Sequence, residues 1–360
     1  MKQNIKINLT QNSRLATFDF SNIPFGKIFS DHMFVADYIK GQWTNFEIRP
    51  FGNLSLHPAN LTIHYGQSVF EGMKATKLQD GTPALFRCEM HSKRLNASAV
   101  RLAMPTFPEH VFQQAVETLV SIDRDWIPAM EGSSLYIRPF MYATDEHLGA
   151  KPSLTYKFVV IAGPAGSYYS KPVTLLAEEK YIRAALGGTG EAKSAGNYAG
   201  AMLPTLIANE KGYDQILWLD AQNHKYVQEA GTMNLMFVID GVLITAPTDG
   251  TILKGITRDT ILKLLPDLEI PFEVCDLSID EIAEAYTEGK LNEVFGCGTA
   301  AVISHVCSIT YRNLTMELPP TNERGIGMLL KKTIDKMRTG EIIDRYGWVQ
   351  PIMSTFEEVV

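Results

Sequence analysis

One lysine, Lys193, stands in the run Gly187-Gly188-Thr189-Gly190-Glu191-Ala192-Lys193-Ser194-Ala195-Gly196-Asn197-Tyr198. Small residues let a ligand approach the backbone closely. A long cationic side chain in that setting is a solvated loop lysine, a phosphate ligand or a covalent anchor. A phosphate loop of the form G-x-x-x-x-G-K-[ST] needs glycine where this chain has Ala192, and it follows a buried strand directly. The residues before this run, Glu178-Glu179-Lys180-Tyr181-Ile182-Arg183, are too charged for such a strand. The competing reading is a lysine that forms an imine with pyridoxal phosphate (PLP), with Tyr198 as a phenol partner. The run alone leaves these readings open.

Chemistry on PLP needs more than a lysine. An acid must hold the ring nitrogen protonated, cations and N–H donors must bind the phosphate, and a phenol or amide tunes the ring hydroxyl. The chain has a candidate for each. Glu229-Ala230-Gly231-Thr232-Met233-Asn234 sets a carboxylate beside Gly-Thr, ahead of a strand. A carboxylate against a pyridinium is a charge-assisted pair that raises the nitrogen's pKa; alone, Glu229 reads as a turn acid. Leu253-Lys254-Gly255-Ile256-Thr257-Arg258-Asp259 places Gly-Ile-Thr at a helix start, where N–H groups and the helix dipole suit a phosphate. Thr257 also fits there as an N-cap. Phe295-Gly296-Cys297-Gly298-Thr299-Ala300 is a second small-residue turn with a hydroxyl, and Arg94 offers a full positive charge.

The elements that must carry these residues follow from periodicity. Residues 1–24 read as a loose arm. Leu61 to Tyr65 alternates like a strand, and Gly66 to Gly72 reads as a short helix. Glu89 to Leu102 is a predicted helix bearing Arg94. Pro108 opens another, with Val111, Phe112, Ala115, Val116, Leu119 and Val120 as its buried stripe. Ser134 to Tyr142 alternates, so Tyr136 and Arg138 share a face. Gly163 to Pro172 is the best linker candidate. Ser194 to Asn209 reads as one helix, Asp240-Gly241 as a hairpin turn, and Ser278-Ile279-Asp280-Glu281 as a capping box. Strands and helices alternate with frequent hairpins, which points to an α/β protein with mixed sheets. The expected division is a smaller N-terminal domain over 1–165, a linker over 166–178 and a larger C-terminal domain over 179–360.

Composition narrows the class. A chain of 360 residues, 45% hydrophobic and 20% charged, reads as a globular protein large enough for two domains. Its net charge is 33 − 40 = −7, which disfavours nucleic acid as a partner. No apolar run approaches a membrane span, and no N-terminal signal core is present, so a cytoplasmic location is expected. Cys88, Cys275, Cys297 and Cys307 show no metal-binding or disulfide spacing, and no metal is expected. Cys297 lies near a proposed phosphate turn whose N–H donors would lower its pKa.

Read in order, K-x-x-x-N-Y, E-x-G-T-x-N, G-I-T-R-D and F-G-x-G-T-A make a specific set. With Leu56-His57-Pro58, His64-Tyr65, Phe70-Glu71-Gly72 and Leu135-Tyr136-Ile137-Arg138-Pro139, the chain resembles the branched-chain amino-acid aminotransferases from about Phe25 to the C-terminal helix. These are PLP enzymes of fold type IV. The resemblance implies a two-domain homodimer with the cofactor between the domains, most of its contacts coming from the C-terminal one. It makes Lys193 the catalytic lysine and sets Tyr198 at the ring hydroxyl and Glu229 at the ring nitrogen. Arg94, Ile256, Thr257 and Thr299 would bind the phosphate, with Arg183, Thr232 and Asn234 also on the cofactor side. Phe25, Tyr65, Phe70, Tyr136 and Tyr168 would line the substrate's side-chain pocket. Thr299 and Ala300 would meet the α-carboxylate, and Arg138 the distal carboxylate of glutamate and 2-oxoglutarate. Leu148 would belong to a loop reaching the partner subunit. The implied reaction moves the amino group of leucine, isoleucine or valine to 2-oxoglutarate. The competing readings are D-amino-acid transamination, aminodeoxychorismate lysis and, in another class, a phosphate-loop nucleotide-binding protein. Animal members carry a C-x-x-C redox pair where this chain has Ala301 and Ser304, so no thiol switch is expected there.

Overall fold

Runs such as Phe158-Val159-Val160 and Leu235-Met236-Phe237-Val238 are apolar at consecutive positions, so both faces of their strands must be covered. The structure, a computed structural model, describes residues 2–166 and 171–353. It contains two nine-stranded sheets and divides into two units. The first comprises Met1–Tyr168, Ala192–Ala195 and Asp335–Val360; the second comprises Tyr169–Glu191 and Gly196–Ile334.

In the first unit the strands run in the order Lys6–Ile7, Gln42–Pro50, His32–Ile39, Tyr156–Ala165, Ser134–Ala143, Met73–Lys77, Pro83–Phe86 and Val349–Pro351. Ser68–Phe70 pairs with Ser134–Ala143 beside this path. The helices Cys88–Arg101 and Glu109–Ile122 join the core through Leu95, Ala99, Val111, Phe112, Ala115, Val116, Leu119 and Val120, all buried. Phe34, Phe158 and Val160 meet that core, while Met33, Val35, Tyr142 and Val159 form a second cluster. The strand holding Arg138 is therefore central, with a neighbour on each side.

In the second unit the strands Val227–Ala230, Gln215–Leu219, Val173–Glu178, Val302–Tyr311, Leu291–Gly298 and Met233–Ile239 follow one another. Val227–Ala230 also pairs with Met233–Ile239, which closes these strands into a ring. Parallel and antiparallel pairings occur in both units, as in a mixed sheet. The hairpin turn at Asp240-Gly241 has positive φ at both residues (49° and 80°), and Ser278 makes both hydrogen bonds of its capping box with Glu281.

Several expectations fail for identifiable reasons. Leu61–Tyr65 is a helix, not a strand: Asn60 caps it through the Thr62 N–H, and Gly66 ends it at φ 66°. The expected helix over Gly66 to Gly72 is the strand Ser68–Phe70, held by Phe140 to Tyr142. The single helix expected over 194–209 is two pieces, Ala195–Gly200 and Met202–Glu210. Pro204 has no N–H to give the Gly200 carbonyl, so the ladder breaks there. The N-terminal arm is tied down. Lys6–Ile7 pairs with Glu47 and Ile48, and Asp31 accepts hydrogen bonds from Ser13 Oγ and the Arg14 N–H. Gly163–Ala165, expected as linker, continues the strand Tyr156–Ala165. The C-terminal segment from Asp335 groups with the first unit because Val349–Pro351 pairs with Pro83–Phe86.

Candidate active site

In the first unit the segment Phe70-Glu71-Gly72 organises the site. Val69 bridges to Ser194, and the Phe70 N–H donates to the Lys193 carbonyl at 3.0 Å. The Lys193 N–H in turn donates to Ser98 Oγ at 2.9 Å. Lys193 is thus clamped through both of its backbone groups, by a strand and by the helix Cys88–Arg101. Its Nζ lies 4.8 Å from the centre of the Phe70 ring, and the Arg138 guanidinium lies 4.7 Å from that same centre. Arg138 Nη2 donates to the Tyr136 hydroxyl at 2.9 Å, as their shared strand face requires, and Phe25 packs edge-on against Tyr136 at 5.1 Å. Gly72 leaves room for this arrangement, because a Cβ there would collide with the Tyr136 hydroxyl. Glu71 is fully buried and grips Arg94 by a two-pronged ion pair.

In the second unit Asn234 ties the motifs together. Its Nδ2 donates to Glu229 Oε1 and to the Leu253 carbonyl, each at 2.9 Å. It sits opposite Cys297 in strand register, and a Cβ on Gly255 would collide with its Oδ1. The three motifs around Glu229, Gly255 and Gly296 therefore meet at one amide. Glu229 is buried, also accepts the Leu253 N–H at 3.2 Å, and faces Arg183 Nε at 2.8 Å. Arg183 Nη2 donates to the carbonyls of Gly190 and Thr251. Gly190 must be glycine, since a Cβ there would run into the Thr251 carbonyl and the Ala184 side chain.

The helix Ile256–Leu264 has Gly255 as its N-cap, not Thr257, and Gly255 brings no side chain to cap it. An anion matches the positive end of such a helix. Thr299 and Ala300 lie in the tight turn between Leu291–Gly298 and Val302–Tyr311, and Val302 after them has φ 62°, strained for a β-branched residue. Thr232 lies in the turn before Met233, with its carbonyl 3.9 Å from where a Cβ of Gly298 would stand. Tyr198 is half-buried in Ala195–Gly200.

Other expected residues fall elsewhere. Tyr65 donates to the Leu148 carbonyl at 2.8 Å, and both side chains are exposed. Tyr168 lies outside the described residues. Cys297 is corrected: burial pushes its thiol up to about 12, so it is not activated by the turn. Ser98, His91 and the part played by Glu71 were not foreseen. Ser98 lies far from Lys193 in sequence and carries no motif. Glu71 and His91 matter through a buried contact between separate elements. The clamp of Asn197 on Thr189, with bonds of 2.6 and 2.7 Å, also escaped, although both residues lie in the lysine run.

The sequence matches the amino-transferase class IV family over residues 68–309. It is 41% identical over 360 residues to branched-chain-amino-acid aminotransferase 2 of Bacillus subtilis (strain 168), covering 99% of both chains. It is 45% identical over 336 residues to a probable branched-chain-amino-acid aminotransferase of Staphylococcus aureus (strain N315), covering 91% of this chain and 93% of that one. The fold is similar to the branched-chain amino acid aminotransferase of Escherichia coli. That match has a TM-score of 0.72 and 27% identity, over 90% of this chain and 99% of the other.

Proposed function

Since the chain belongs to the branched-chain amino-acid aminotransferases of class IV, we propose that it uses PLP carried on Lys193, with 2-oxoglutarate as amino acceptor. The reaction is transamination of branched-chain amino acids. The observation that carries the residue assignment is the convergence of Lys193 and Arg138 on the Phe70 ring. It brings an amine and a carboxylate-binding cation to one aromatic surface.

The residues fit the cofactor. A buried carboxylate, Glu229, has its position fixed by Asn234 and the Leu253 N–H. An uncapped helix start with Thr257 beside it suits a phosphate, and Arg94, held by Glu71, adds a full charge. When bound, PLP supplies an aldehyde that captures amino groups and a ring that takes up carbanion charge. Glu229 holds a proton on the ring nitrogen, and Tyr198 meets the ring hydroxyl. Arg183 and Asn234 hold Glu229, Thr232 lies in the turn beside it, and Ile256, Thr257 and Thr299 take the phosphate with Arg94. Lys193 Nζ removes the Cα proton of the donor amino acid and returns a proton to Cα of the acceptor. Phe25, Phe70 and Tyr136 face the aliphatic side chain, each buried CH₂ contributing about 0.8 kcal/mol. Thr299 and Ala300 meet the α-carboxylate. Arg138, whose buried Nε has no hydrogen-bond partner among the described residues, takes the distal carboxylate of glutamate and 2-oxoglutarate.

We further propose a homodimer in the cytoplasm, with the loop at Leu148 reaching the partner. Among the described residues no helix is long and apolar enough to cross a membrane. The phosphate-loop reading loses its support, because residues 179–186 are neither helix nor strand and Lys193 is bound into the Phe70 clamp. A screen of amino donors with 2-oxoglutarate tests the proposal. Leucine, isoleucine and valine should each yield glutamate, and D-amino acids should not; preference for a D-amino acid would overturn it.

A further inference from the structure

Glu71 is wholly inaccessible to solvent, yet the reaction as derived gives it no chemical part. Its Oε1 accepts from Arg94 Nε at 2.7 Å. Its Oε2 accepts from Arg94 Nη2 at 2.9 Å, from His91 Nδ1 at 2.7 Å and from the Gly72 N–H at 3.2 Å. Its two oxygens together accept these four hydrogen bonds, three at Oε2 and one at Oε1. Burial works against the charge on Glu71, but the Arg94 charge and the His91 and Arg94 hydrogen bonds outweigh it and hold the carboxyl well below its usual range. Burial pushes His91 the other way, down from its ordinary value, so its imidazole is neutral and Nδ1 is its donor to the acceptor-only carboxylate. Glu71 is therefore neither an available base nor an open ligand site.

The cluster also has a direction. His91 and Arg94 are three apart on the helix Cys88–Arg101 and so share a face. Glu71 arrives from the segment after Ser68–Phe70, whose Phe70 N–H holds the Lys193 carbonyl. A two-pronged bond through Nε and Nη2 fixes the plane of the guanidinium, and with it the direction of the Nη1 edge. Stability alone does not favour such a buried ionic cluster, because an apolar packing of equal volume commonly does as well. Orientation does favour it.

We propose that Glu71, backed by His91, is a positioning residue that fixes Arg94 for the phosphate of the cofactor. This rests on the reading of Arg94 as a phosphate ligand. The test compares binding of PLP with binding of pyridoxal, which lacks the phosphate, to the full chain after cofactor removal. The readout is the visible absorption of the bound aldehyde, so turnover is not needed. R94Q should cut the preference for PLP over pyridoxal by tenfold or more. E71Q should cut it by at least tenfold as well, with pyridoxal affinity changed less than threefold. The double variant E71Q/R94Q should be no worse than R94Q. H91L should lower the preference, and H91N, which restores an N–H donor, should recover it. This pair carries the test if E71Q does not fold. An unaltered preference in E71Q, or in H91L where it stands in, overturns the proposal, as does a double variant whose losses add. An unaltered preference in R94Q fails the phosphate reading itself, and the proposal with it.

Discussion

Replacing Glu229 by glutamine tests what that carboxylate does, because the two side chains differ by one charge and little in shape. In the structure Oε1 takes the Asn234 and Leu253 N–H groups, and Oε2 faces Arg183 Nε at 2.8 Å, with both side chains less than 10% exposed. A glutamine that keeps its oxygen toward Asn234 and Leu253 turns its NH₂ against the Arg183 N–H. Removing one partner of a buried ion pair costs about 3–5 kcal/mol. Arg183 keeps its two carbonyl partners, Gly190 and Thr251, so we place the loss near the lower end, about 3 kcal/mol. For a unit of this size that is a fall of roughly 6–12 °C in the melting of the second unit. The catalytic loss is separate. An amide cannot hold the ring nitrogen protonated, and removal of one such preorganised charge partner costs about 10²–10³ in kcat. The assay is kcat for leucine with 2-oxoglutarate, measured well below the melting temperature, with the visible band showing full cofactor occupancy. A kcat within about threefold of wild type, with the cofactor bound and the melting temperature lowered, would refute the reasoning: Glu229 would then serve Arg183 alone.

Three more outcomes follow. Arg138→Ala should raise KM for glutamate and 2-oxoglutarate by tenfold or more and that for leucine by much less, since only a distal carboxylate needs the cation; equal losses would make Arg138 structural. Glu71 is held well below 4.5 and His91 below 6.5, so each contributes stability that is full above its unfolded value and lost as pH falls toward its folded one. Melting temperature should therefore decline below about pH 6, and E71Q should flatten the part of the decline below about pH 4.5; an unchanged acid limb would contradict the assignment. Mild peroxide should leave activity largely intact, because Cys297 is buried and its thiol pushed up to about 12, and Cys88 is buried and pushed up as well. Rapid loss that a thiol reductant reverses would show that another cysteine pair acts as a switch.

The parts of the site legible in the sequence were those whose chemistry sits in a short run. Glu229 with Asn234, and Gly255 ahead of the helix at Ile256, stand in short runs, the run from Lys193 to Tyr198 marks the lysine as a candidate, and the helix stripe from Val111 to Val120 follows from periodicity. What escaped depends on contacts between distant segments. Ser98 holds Lys193 from a helix with no motif at that position. Phe70-Glu71-Gly72 was visible as a match, but not the separate task of each residue. The swap of helix and strand between Leu61 and Gly72 shows the limit of periodicity in runs of a few residues. There, one cap at Asn60 and one left-handed glycine at Gly66 outweigh alternation. The arm carries no pattern of its own in the sequence, because the N–H groups of Thr10 and Arg14 find their partners, His32 and Asp31, only in the folded unit.

The central claim is that Lys193 carries the cofactor and moves the proton. Borohydride reduction of the enzyme with PLP bound, followed by digestion and mass spectrometry, tests it most directly. The account predicts a phosphopyridoxyl mass increment on Lys193 alone, absent from the variant Lys193→Ala, which should also show no transamination. A reduced adduct on a different lysine, or wild-type turnover by Lys193→Ala, would contradict it.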